Sequence, residues 1–117
     1  MIISKHYDLE ERTLSFARSI ILFTNLLPKT PANSEITKQI IRSSGSIGAN
    51  YIEANEALGK KDFAMRIRIC RKESKETIYC LKLVETNDSS LDTKRASYIQ
   101  EGTEIMKIFG AILIKSE

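Results

Sequence analysis

Two four-three patterns separated by a short turn constrain this chain more than any other feature. Small or apolar residues recur at Ile36, Ile40, Ser43, Ile47, Tyr51, Ala54 and Leu58, a near-heptad seam. After Gly59-Lys60-Lys61 the pattern resumes at Phe63 and continues through Ile67, Cys70, Ser74, Thr77, Leu81 and Val84. The spacing predicts two long helices, and the short connection forces them antiparallel. Gly45 and Gly48 lie inside the first of these helices. Each costs about 1 kcal/mol relative to alanine there, so close approach of a neighbouring helix is expected to offset both. Gly45-Ser-Ile-Gly48 lacks the glycine spacing and the lysine of a P-loop, which argues against a phosphate-binding loop.

The flanking segments carry their own signals. Residues 1–7 read as a lead-in without a clear period. Asp8 with Glu11 reads as an N-cap pair opening a helix from Leu9 to Leu27. Leu9, Phe16, Ile20, Phe23 and Leu27 share its inner face. Pro28 and Pro31 form the next connection, and Asn33 and Ser34 are expected to cap the second helix. Asp62 is expected to cap the third. Thr86 to Ser90 is a polar loop, and a fourth helix is expected from Asp92 to Ile114, with Ile99, Met106, Phe109 and Leu113 inward. The reading is an all-α, antiparallel up-down-up-down four-helix bundle over residues 1–117 as one domain.

Composition agrees with that class. The absence of tryptophan and the low count of two prolines and five glycines disfavour a turn-rich β fold. No stretch approaches the roughly 18 apolar residues of a membrane span. No apolar segment follows Lys5 and His6 as in a signal peptide, so a cytoplasmic location and no membrane partner are expected. Cys70 and Cys80 stand about 15 Å apart along one helix, too far to bridge each other, and are expected to be small buried side chains.

The third helix holds the charge. Residues 60–82 carry eight Lys or Arg against three Asp or Glu, while the rest of the chain carries ten against twelve. On a helical wheel the cations Lys61, Arg68, Arg71, Lys72, Lys75 and Lys82 lie opposite the core seam, with Tyr79 among them. Such a stripe is either a solvated face or a surface for RNA or DNA, with Tyr79 available to stack on a base. Met65, Ile69, Cys80 and Leu83 form a second apolar strip, expected to be a self-association surface unless a terminal segment covers it.

Paired carboxylates raise an enzymatic alternative. Glu53 and Glu56 on the second helix and Glu73 and Glu76 on the third have the spacing of the acidic pairs that hold Mg²⁺ in helical nucleotide pyrophosphohydrolases. With the turn centred near Lys60, the two pairs are offset by roughly 13 Å along the axis, so they do not form one site. The register instead sets Glu53 and Glu56 against Arg66 and Arg68, and Arg42 against Glu76, as a structural charge network. His6 is the only histidine, which disfavours a di-iron site. No metal, cofactor or catalytic residue is expected. A protein-interaction or assembly module with a merely solvated basic face is the alternative from another class.

Three segments together carry a resemblance: Gln39-Ile-x-Arg-Ser-x-x-Ser-Ile-x-Ala-Asn-x-x-Glu-Ala, then Gly59-x-x-Asp62-Phe63, then Arg71-Lys-Glu73-x-x-Glu76-Thr77-x-Tyr79-x-Leu81. Over about residues 9–114 the chain resembles the four-helix-bundle family encoded in intervening sequences of bacterial large-subunit ribosomal RNA genes. That family is similar to the accessory variability protein of diversity-generating retroelements. The resemblance implies a cytoplasmic bacterial protein with this bundle topology. Its retroelement relative further implies a homo-pentamer whose basic surface binds nucleic acid and a reverse transcriptase. No catalytic residue carries over.

Overall fold

The computed structural model describes residues 5–116. They form four helices: α1 (Lys5–Leu26), α2 (Pro31–Asn55), α3 (Lys60–Leu83) and α4 (Ser89–Lys115), with no strand among the described residues. Each helix packs on its chain neighbour, and α1 returns against α4 through the least extensive of the four contacts. Short connections make every neighbour antiparallel. The fold is therefore an all-α, antiparallel up-down-up-down four-helix bundle. Side chains bridge its diagonal: Tyr51 of α2 meets Phe109 of α4 edge-on, with ring centroids 5.7 Å apart. No described helix is long and apolar enough to cross a membrane.

The four-three pattern becomes the core. Ile40, Ser43, Ile47, Tyr51 and Ala54 of α2 are buried, as are Ile67, Cys70, Ser74, Thr77 and Leu81 of α3 and Val84 just beyond it. Ile36 and Phe63 pack at its margin. Small residues bring α2 and α3 together: the Ser43 and Thr77 hydroxyls meet at 2.7 Å, and the Cys70 thiol donates to the Ile47 carbonyl at 3.4 Å. Leu58 departs from the pattern and is fully exposed. The helix ends at Asn55, where the Glu56 N–H closes back onto the Glu53 and Ala54 carbonyls, and Leu58 passes into the turn.

The two glycines of α2 differ. A Cβ on Gly48 would lie 2.9 Å from Thr13 Oγ1, so the bare position admits α1. A Cβ on Gly45 would meet nothing within 4 Å, which corrects the expectation that both serve a tight crossing.

Helix starts differ from the sequence reading in a consistent direction. Residues 1–4 of the expected lead-in lie outside the described residues, and α1 already runs from Lys5 through Asp8, so Asp8 does not begin it. Thr30 caps α2 by accepting from the Asn33 N–H at 3.0 Å, with Pro31 in the first turn, where its missing N–H costs nothing. Neither Asn33 nor Ser34 is the cap. Gly59 is the cap position of α3, and Asp62 sits inside its first turn, where its charge still favours the helix N-terminus. Asp88 caps α4 by accepting from the Ser90 N–H at 2.7 Å, so α4 begins three residues before Asp92. For α2, α3 and α4 the turn supplied an acceptor or a free backbone nearer the connection than the residue expected to begin the helix.

Candidate nucleic-acid interface

Because α3 runs unbroken from Lys60 to Leu83, its 3.6-residue period holds the cations on one outer face. Lys61, Arg68, Arg71, Lys72, Lys75 and Lys82 are exposed, and Tyr79 among them is 64% exposed. Among the described residues, no ion pair or hydrogen bond engages these six cationic heads. Arg68, Arg71, Lys72 and Lys75 converge on a hollow of about 270 Å³ closed on its other side by Leu113 of α4. The stripe thus borders α4 instead of standing alone on a free face. That neighbour is not legible in the sequence, because the wheel of one helix says nothing about which residue of the next helix lies beside it.

The other charges are committed to structure. Arg42 Nη1 reaches Glu73 Oε1 at 3.4 Å, and Arg42 Nη2 pairs with Glu76. The hydrogen bond that Arg42 donates to Glu76 leads in raising the Arg42 pKa, with the charge of Glu73 adding to it. Glu73 is the more enclosed partner, its side chain 9% exposed. Arg66 Nη1 donates to Asn50 Oδ1 at 3.0 Å. Glu53 and Glu56 are exposed and join no ion pair among the described residues, so their expected pairing with Arg66 and Arg68 is not formed. Arg66 reaches Asn50 instead, and the α2–α3 pairs that meet, from Cys70 with Ile47 to Ser43 with Thr77, are centred between Leu58 and Lys60. No group of His, Cys, Asp and Glu among the described residues could hold a metal ion.

The second apolar strip of α3 is split. Met65 and Leu83 are exposed and Ile69 is half-buried, but Cys80 is buried in the core cluster. Cys80 therefore offers no surface to a second copy. Its burial, with the charge of Glu76 nearby, raises its thiol pKa, and burial pushes that of Cys70 up to about 12. Both cysteines are free. A different set of exposed apolar residues lies on the other side of the bundle: Leu14 and Ile21 on α1, and Ile41 and Ile52 on α2. By helical period, the α1 pair stands on the flank of α1 toward α2, and the α2 pair on the flank toward α1, beside Gly45.

No curated protein matches the chain. A crystal structure of a protein of unknown function from the S23 ribosomal protein family, from Bacteroides thetaiotaomicron VPI-5482, is similar over 90% of this chain and 97% of that one, with 32% identity and a TM-score of 0.76. Residues 5–111 match the family model of the 23S rRNA-intervening sequence proteins, and the chain belongs to that family.

Proposed function

We propose that this protein is a non-enzymatic nucleic-acid-binding bundle that contacts phosphates through α3. The observation that carries the reading is the row of exposed cations Lys61, Arg68, Arg71, Lys72, Lys75 and Lys82, which join no ion pair among the described residues. Cations already held by carboxylates, such as Arg42 and Arg12, would have to break those pairs to reach a phosphate. The stripe has no such cost. Release of counterions from the nucleic acid would drive the association.

The test is binding to structured RNA and to duplex DNA across a salt series, with Arg68→Glu/Lys75→Glu as the control. With about four phosphate contacts the log of affinity should fall with the log of salt at a slope near −3.6. Removing two contacts should lower the magnitude of the slope by about 2. Binding that is flat with salt and identical in the variant would overturn the proposal. Both substituted side chains are exposed, so a thermal melt should confirm that the variant keeps its fold.

Self-association is a second reading, favoured by the exposed Leu14, Ile21, Ile41 and Ile52 on α1 and α2. It is compatible with the first. Copies arranged in a closed ring, five in number as the similarity to the retroelement accessory protein implies, would multiply the field of the stripe.

A further inference from the structure

A second hollow, of about 540 Å³, adjoins the cationic one between α3 and α4, and the two share Arg71 and Leu113. Its floor is apolar. Met106, Gly110 and Ile114 of α4 stand one helical turn apart, with Ala111 beside them. Gly110 adds no side chain to the floor, and the nearest atom a Cβ there would meet is Arg71 Nε at 4.0 Å. Ala111 is exposed and Ile114 is 72% exposed, while Met106, expected to point inward, and Gly110 are half-buried, so the floor opens to solvent toward its Ile114 end. The remaining lining residue is Lys107, and among the described residues no carboxylate lines either hollow.

A cation row beside an open apolar floor suits one form of nucleic acid better than another. A duplex presents phosphates outward and hides its base faces in the stack. A single strand presents phosphates and free base faces side by side, which a charged groove with flat or apolar surfaces can use together. We propose that this groove takes single-stranded nucleic acid, its phosphates on Arg68, Arg71, Lys72 and Lys75 and its bases against the Met106–Gly110–Ile114 floor. The planar guanidinium of Arg71, set between the two hollows, serves both contacts, since it can pair with a phosphate and stack on a base. Exposed Tyr79, one turn beyond Lys75, extends the stacking surface along the strand. This inference rests on the nucleic-acid reading above and names its substrate class.

The experiment compares three probes of about 16 nucleotides by fluorescence anisotropy. They are a mixed-sequence single strand, its duplex, and a strand of equal charge whose bases are largely replaced by abasic sites. The variant Ala111→Gln/Ile114→Gln removes apolar floor without changing charge. The wild-type protein should bind the single strand about tenfold more tightly than the abasic strand or the duplex. The variant should lose that preference while its binding to the duplex and the abasic strand stays unchanged, with a thermal melt confirming its fold. Equal binding of all three probes, or a variant that keeps the preference, overturns the single-strand inference and leaves the phosphate-binding stripe standing. Absence of salt-sensitive binding to every probe overturns both. Tight binding of an acidic amphipathic peptide, with no affinity for the single strand, also overturns it.

Discussion

Gly45 and Gly48 are three positions apart in one helix, yet substitution should act on them in opposite directions. At Gly45 an added methyl meets open space, so only the helix propensity counts. Gly45→Ala should stabilise the protein by about 1 kcal/mol in chemical denaturation. At Gly48 the methyl would press on the buried Thr13, whose hydroxyl is already bound to the Glu10 carbonyl at 3.0 Å. Overpacking there outweighs the same propensity gain, and Gly48→Ala should destabilise by about 1 kcal/mol. Equal stabilisation by both substitutions would show that α1 does not approach α2 as described. The sequence marks both glycines as costly inside a helix, but which one faces a neighbour depends on where α1 lies.

Among the elements, the connections are tied to one another as firmly as the helices. Asn33 in the first turn of α2 is buried, and its Nδ2 donates to the carbonyls of Pro28 and Glu85 at 3.0 and 2.8 Å. Its Oδ1 accepts from the Glu85 N–H at 3.0 Å. One side chain thus joins the α1–α2 connection to the α3–α4 connection, 52 residues away in sequence. Asn33→Ala would strip the Glu85 N–H and carbonyl of this partner and leave the Pro28 carbonyl only its bond from the Thr30 N–H, and a loss of about 2–4 kcal/mol is expected in denaturant unfolding. A loss below about 0.5 kcal/mol would mean that water replaces the clasp. Asparagine near a helix start reads locally as a cap, and a partner so distant in sequence leaves no local signal.

The α1–α4 contact is held differently. Arg12 forks onto Glu101 at 2.7 and 2.8 Å and reaches Glu104 at 3.0 Å, while Phe23 and Tyr98 meet edge-on at 5.3 Å. The hydrogen bond from Gln100, followed by that from Arg12, holds the Glu104 pKa below its ordinary 4.5. A depressed carboxyl contributes stability above its unfolded pKa and loses it as pH falls through the lower folded value. Acid titration of stability should therefore show a decline starting below pH 4.5, and Glu104→Gln should flatten part of it. An unchanged acid limb in the variant would remove Glu104 from that account. Salt should weaken the same contact, because Glu104 is exposed.

For the whole molecule, the distribution of exposed side chains separates two faces. Cations dominate the outer face of α3 beside α4, and apolar residues gather on α1 and α2. If the apolar side joins copies, Ile41→Glu/Ile52→Glu should shift the sedimentation coefficient to that of a monomer while leaving the fold intact by circular dichroism. A wild-type protein that sediments as a monomer at all concentrations would end the self-association reading. The same mutant also tests whether nucleic-acid affinity depends on assembly, since a lone stripe lacks the summed field of several copies.

The chain by itself determined the bundle. Its apolar period is that of a helix, its turns are too short for anything but antiparallel neighbours, and the seam residues Ile40 to Ala54 and Ile67 to Val84 enter the core as their spacing requires. It also placed Lys61, Arg68, Arg71, Lys72, Lys75 and Lys82 on one outward face, because an unbroken helix fixes those directions through its period alone. Only the tertiary structure decided what lies next to each face. It buried Cys80, released Glu53 and Glu56 from the expected ion pairs, and set the Met106–Gly110–Ile114 flank of α4 against the cations of α3. A helical period gives the angle of a side chain around its own axis. The rotation and axial offset of one helix against the next come from packing over the whole core.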